Sequence, residues 1–142
     1  MVIREISLEE INLTDESYRI SEELDCTALT ESLRIIGQLY PICISTAGEG
    51  NKVICGFRRL RALKRVGAQR VVARVFDGQK IDPAHLFNVA LFDNLSHRQL
   101  NPLEKARVLY KLKNVFRVSE ESLVRFYLPL LGLAPTSKVL RS

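Results

Sequence analysis

The sequence predicts an α+β fold, a small mixed sheet with helices followed by a helical C-terminal segment. Short runs rich in β-branched residues, Ile42 to Ile44, Lys52 to Cys55 and Val71 to Phe76, are bounded by glycine, proline and asparagine. Two of them flank Ala47-Gly48-Glu49-Gly50-Asn51, which reads as the turn of a β-hairpin. An amphipathic segment lies between Gly56 and Gly67, so the order is helix, strand, strand, helix, strand. That order lacks the strict alternation of a doubly wound parallel sheet.

Taken along the chain, Met1 to Leu8 alternates loosely at Val2 and Ile6 and reads as a short first strand, and Asn12 to Leu24 as loop. With Asp25 or Thr27 as N-cap, Leu29, Leu33 and Ile36 recur at helical spacing and Gly37 supplies the stop. Pro41 forces extension into the hairpin. Gly56 ends the second hairpin strand, Phe57 to Val66 forms a helix closed by Gly67, and the Val71 to Phe76 strand follows. Residues 79–82 are the expected seam between a module over 1–80 and a helical segment over 81–142. Asp82-Pro83 starts a helix through Phe92, and Asn101-Pro102-Leu103-Glu104 repeats that cap-and-proline grammar with a capping-box glutamate. Ser119 opens a further helix with Leu123 and Phe126 on one side, which Pro129 bends or ends.

A chain of 142 residues suits one compact domain, or a small domain with a helical appendage. Its longest uncharged run, Ile35 to Gly48, contains Gly, Pro, Gln, Ser and Thr, so nothing approaches the roughly 20 apolar residues of a membrane span. Arg4 followed by acids is not the layout of a secretion signal, and a cytoplasmic location is expected. Cys26, Cys43 and Cys55 have neither CxxC spacing nor histidine partners, and read as buried reduced thiols. The net charge of +5 conceals a segregation: residues 1–31 hold nine acids and two bases, and residues 32–76 hold nine bases and one acid. Such asymmetry points to an anionic partner for the middle of the chain, or to pairing with the acidic N-terminal strip.

The chemistry concentrates where strand, glycine and helix N-terminus meet. Glycine lets a ligand approach the backbone, and the first helical N–H groups lack internal acceptors. On the Phe57 to Val66 helix, Leu60, Ala62, Leu63 and Val66 share one side, while Arg58, Arg61, Lys64 and Arg65 share the other. Arg59 falls on the apolar side, where its guanidinium needs a ligand phosphate or an internal carboxylate. Arg61 and Arg65 are candidates for contact with a DNA phosphate backbone, or else solvated-face charges.

The run Ile54-Cys55-Gly56-Phe57-Arg58-Arg59-Leu60-Arg61-Ala62 resembles the G-x-R-R-x-R-A box of the ParB N-terminal domain, which shares its fold with sulfiredoxin. Leu33 to Ile42 is similar to that family's helix ending in G-x-L-x-P-I, and Gly67 to Phe76 to its G-x-x-x-I-P-V-x-V strand. Asp93-Asn94-Leu95, followed by Leu100-Asn101-Pro102-Leu103-Glu104, resembles its E-N-L-Q-R-x-D-L-N-P-x-E segment. The resemblance implies CTP or another nucleoside triphosphate such as ATP as ligand, held at Gly56, Phe57, Arg58 and Arg59, with Mg2+ at Asp93 and Asn94. It also implies DNA as partner, in chromosome or plasmid partition or transcriptional control; a homodimer is a further expectation. Arg98 stands beside Ser96 and His97, which replace the family's Gln and Arg, and is a third DNA-phosphate candidate. Phe57 replaces the glutamate associated with CTP hydrolysis, so efficient hydrolysis is not expected. Sulfiredoxin's reactive cysteine position falls on Phe57, leaving Cys55 in the strand before the glycine.

Other readings are a nuclease or a sulfiredoxin-like ATP-dependent enzyme, and a ligand-free DNA-binding scaffold. In the family a helix-turn-helix follows; Ser119 to Leu133 corresponds to its first helix and turn, and Pro135 to Leu140 to the start of a second. The chain is accordingly expected to be a fragment of a longer protein.

Overall fold

The computed structural model describes residues 2–21, 25–46 and 50–141. Its sheet comprises β1 (Val2–Ser7), β2 (Ile11–Asn12), β3 (Ile42–Thr46), β4 (Asn51–Cys55) and β5 (Arg70–Asp77), in the spatial order β1-β5-β3-β4-β2. β1–β5 and β3–β4 pair antiparallel, and β3–β5 and β2–β4 parallel, so the sheet is mixed. The β3–β4 hairpin forms as the sequence predicts; Ala47, Gly48 and Glu49 of its turn lie outside the described residues.

The helices are α1 (Thr27–Ile36), α2 (Phe57–Arg65), α3 (Pro83–His97), α4 (Pro102–Tyr110), α5 (Glu120–Ser122), α6 (Leu128–Leu130) and α7 (Ser137–Arg141). A wide π-type turn, Lys111–Val115, extends α4, and another, Leu123–Tyr127, joins α5 to α6. Among the described residues no helix is long and apolar enough to cross a membrane.

Strand alternation distributes the core over both faces of the sheet. Ile42 and Ile44, fully buried, pack with Val71 of β5 and with Leu60 and Leu63 of α2. Ile54 and Cys55 belong to a second cluster with Leu86, Phe87 and Leu91 of α3, Val108 of α4 and Tyr18 of the N-terminal loop. This second cluster crosses the 79–82 seam. Burying a side chain such as Phe87 stabilises the fold by about 2–3 kcal/mol.

Four local expectations are corrected. The N-cap of α1 is Cys26, because the Asp25 carboxylate accepts from the Thr27 N–H and hydroxyl one residue earlier, at 3.1 and 3.0 Å. Ile36 is 57% exposed, since α1 lies along α2 and Gly37 (φ 76°) then turns the chain away. α3 runs to His97, five residues beyond Phe92, for no breaker stands before Asn101-Pro102. Phe126 is half exposed and Tyr127 joins Leu123 in the core, because the wide turn over 123–127 carries residue 127 round to the buried side.

The Gly37 to Pro41 segment is held by a side chain imitating a strand. Gln38 Nε2 donates to the Val72 carbonyl and Gln38 Oε1 accepts from the Val72 N–H, both at 2.9 Å. β3 begins its pairing with β5 at Ile42↔Ala73, so Gln38 supplies one further rung and fixes where Pro41 lies.

Candidate functional site

The site is built where β4 delivers the chain into α2. On passing from Cys43↔Cys55 to Ile44↔Val53, β3 advances one residue and β4 two. Ile54 is therefore the extra residue of a β-bulge, which redirects the strand immediately before the glycine. Gly56 takes φ 95°, ψ 29°, and a Cβ on it would lie 2.8 Å from Ile42 Cγ2 and 3.3 Å from Ile42 Cα. Only glycine satisfies both the left-handed backbone and that contact.

No side chain caps α2 and no acid sits in its first turn. Its first rung is Leu60 N–H to the Gly56 carbonyl, 2.8 Å, leaving the N–H groups of Phe57, Arg58 and Arg59 ahead of the helical ladder. With the helix dipole they form an anion-attracting mouth.

α2 divides as its pattern predicts: Leu60, Ala62 and Leu63 are buried, whereas Arg58, Arg61, Lys64 and Arg65 are exposed. Arg59 is half buried. Its Nη1 donates to the Pro41 carbonyl at 2.5 Å. Arg58 Nε donates to the Asp25 carbonyl at 3.0 Å. The Thr27 N–H and hydroxyl, and then the Arg58 charge, hold the Asp25 carboxyl below its ordinary range. Among the described residues no base of α2 forms an ion pair. The Phe57 side chain packs against the cluster beneath α2. What it can offer a ligand is its backbone N–H.

Asp93 and Asn94 lie on α3, which packs on β4. The Cys55 thiol, held up chiefly by its neighbour Cys43 and by burial, also feels the opposed charges of Asp93 and Arg59. The Asp93 carboxylate has no hydrogen bond or ion pair among the described residues. Asn94 is engaged: Nδ2 donates to the Ala90 carbonyl at 2.8 Å, and Oδ1 accepts from Arg98 Nη2 at 2.9 Å. Arg98 Nη1 also donates to Glu104 Oε1 at 2.7 Å, so the guanidinium bridges α3 and the buried capping-box glutamate of α4. His97 Nδ1 sits 2.8 Å from the Asp93 carbonyl at the end of α3. No group of three or more His, Cys, Asp or Glu suited to a metal ion occurs among the described residues.

Sequence reasoning missed the Pro41 carbonyl as the acceptor for Arg59, and the pairing of Arg98. The first carried one faint signal, since a proline that starts a strand leaves its own carbonyl at the strand's open end.

A mixed sheet whose bulged strand ends in a left-handed glycine, opening an uncapped basic helix, defines an α+β module of ParB/sulfiredoxin-like fold. The profile of the ParB N-terminal domain matches residues 1–95, and the chain belongs to that family. It is 33% identical over 107 residues to the chromosome-partitioning protein ParB of Myxococcus xanthus, covering 75% of this chain and 35% of the relative. It is 36% identical over 100 residues to a probable plasmid-partitioning protein ParB of Thermus thermophilus, covering 70% and 32%. The chain therefore matches about a third of the length of these curated relatives. A solved structure of C-terminally truncated chromosome-partitioning protein ParB from Caulobacter crescentus, complexed with CTP-gamma-S, covers 95% of this chain and 73% of its own, with TM-score 0.56 and 24% identity. At that identity the likeness is one of fold.

Proposed function

We propose that this chain is the nucleotide-binding module of a DNA-associated protein of chromosome or plasmid partition, and that it takes CTP at the mouth of α2. The observation that carries this reading is the state of Arg59. Among the described residues this half-buried guanidinium in an uncapped first turn has a single carbonyl as partner and no carboxylate, beside N–H groups with no helical acceptor. A triphosphate supplies what is lacking there, and the relative solved with CTP-gamma-S supports the choice of nucleotide.

In this reading Gly56 and the Phe57 to Arg59 N–H groups cradle phosphate oxygens, while Arg58 and Arg59 supply charge-assisted hydrogen bonds. Arg61 and Arg65, unpaired on the exposed side of α2, face the DNA backbone. For a magnesium ion, the free Asp93 carboxylate fits as an oxygen ligand, and the ion would neutralise phosphate charge. The Asn94 oxygen fits only once Arg98 has released it, because a guanidinium already occupies that acceptor. Phe57, packed into the apolar cluster, neither orients water nor accepts a proton, so the nucleotide acts as a switch ligand linking α2 to α3.

Isothermal titration with CTP, ATP and GTP in magnesium tests the proposal. CTP binding that weakens at least tenfold in Arg59→Ala, with a stability change of about 1 kcal/mol or less, is expected. Absence of heat with any of the three nucleotides would remove it.

A further inference from the structure

Cys43 and Cys55 are direct cross-strand partners in the β3–β4 ladder, and both are free thiols. Opposed residues of an antiparallel pair have Cα atoms about 4.5–5.5 Å apart, inside the roughly 4.4–6.8 Å that a disulfide spans. The neighbouring bulge gives the ladder slack at this point. Interaction with the neighbouring Cys55 pulls the Cys43 thiol down, and the same neighbour, with burial, holds Cys55 up. The two are therefore not equivalent. Cys43 is partly exposed and carries the thiolate character, and Cys55 is buried behind it. Cys26 stands apart at the start of α1, its sulfur accepting from the Thr30 hydroxyl at 3.7 Å.

The position of this pair matters. Cys55 directly precedes Gly56, and Cys43 lies two residues after Pro41, whose carbonyl holds Arg59. One residue beyond the pair, Gly56 is pressed against Ile42 with no space for even a methyl group. We infer that Cys43 and Cys55 form a reversible cross-strand disulfide that, on oxidation, distorts the Gly56 turn and weakens the grip of α2 on its anion.

With a peroxide as oxidant, the Cys43 thiolate attacks one peroxide oxygen and breaks the O–O bond, giving a sulfenic acid and hydroxide. The Cys55 thiol then attacks the Cys43 sulfur, forming the S–S bond, and the sulfenic oxygen leaves as water. Two thiols give up two electrons and two protons, and hydrogen peroxide becomes two waters. The opposed Cα atoms already lie within disulfide range, so bond formation displaces the two cysteine side chains rather than the strands. Packed against Ile42, the Gly56 turn takes up that displacement by rotating.

The weakening of anion binding rests on the nucleotide proposal above; formation of the disulfide does not. The test treats the chain with hydrogen peroxide and reads intact mass and peptide maps, before and after dithiothreitol. The inference expects a loss of about 2 Da from a Cys43–Cys55 link, reversed by dithiothreitol, unchanged in Cys26→Ser and absent in Cys43→Ser and in Cys55→Ser. A link through Cys26, or sulfinic acid on Cys43 without a link, would overturn it. CTP titrated into the oxidised chain is expected to bind about tenfold more weakly than into the reduced chain. Equal affinity in the two forms would overturn the regulatory half. If neither form binds CTP, the nucleotide proposal fails, and with it that half, while the mass result still decides the disulfide.

Discussion

Two arginines, Arg59 at the mouth of α2 and Arg98 at the end of α3, are both partly buried and occupy opposite electrostatic situations. Arg98 gives its two terminal nitrogens to Glu104 and Asn94, and Glu104 is itself locked into the α4 cap. Arg59 has, among the described residues, the Pro41 carbonyl alone. The first is a pin in which the charges are matched, so its removal leaves a buried carboxylate without its cation. The second has no carboxylate partner among the described residues, so its removal is expected to cost the chain alone little. Burial of an arginine therefore does not identify a site; the absence of an internal counter-charge does.

The largest expected effect falls on the matched side. Arg98→Ala removes the cation from the Glu104 carboxylate, whose side chain is 4% exposed, and lowers unfolding free energy by about 3 kcal/mol in denaturant titration. Adding Glu104→Gln recovers part of that loss, because a neutral amide is less costly than a carboxylate to bury without a cation; no recovery would mean that the two residues act independently. Next, Gly56→Ala places a Cβ against the β3 backbone at positive φ, and is expected to cost about 2–3 kcal/mol. It thereby tests whether the unmatched site stands on a rigid frame.

The smallest effect sharpens the comparison with a third cation. Lys111 Nζ donates to the carbonyls of Glu16 and Arg19, and Arg107 to those of Ile20 and Ser21, so α4 straps the loop that leads to Asp25. Burial and then the Arg107 charge push Lys111 down to about 8 from an ordinary 10.5. Between those values the unfolded chain binds more protons than the folded one, so stability rises as pH increases from 8 toward 10.5. For a half-buried group the gain is about 1 kcal/mol after screening, read as the difference between the parent chain and Lys111→Met across that range.

What could be read from the sequence followed the local character of its signals. Gly37, Gly56, Gly67, Asp82-Pro83 and Asn101-Pro102 act on their own backbone, and each marks the element end that the structure shows. The amphipathic division of α2 was legible because its period is set by the helix itself. The bulge at Ile54 was not, since it depends on register with β3. Gln38 on Val72, Arg107 on Ile20, and Arg59 on Pro41 join residues 34, 87 and 18 positions apart, and no local pattern specifies such partners. The pairing of Arg98 was illegible for the same reason: its glutamate was visible as a cap, but not as an ion-pair partner.

A structure of the chain determined with CTP and magnesium is the most direct test. The account predicts the Arg59 guanidinium turned from the Pro41 carbonyl to a phosphate oxygen at about 2.7–2.9 Å, with the Phe57 to Arg59 N–H groups pointing at the same phosphates. Arg59 still on Pro41, with the nucleotide absent or bound elsewhere, would contradict it.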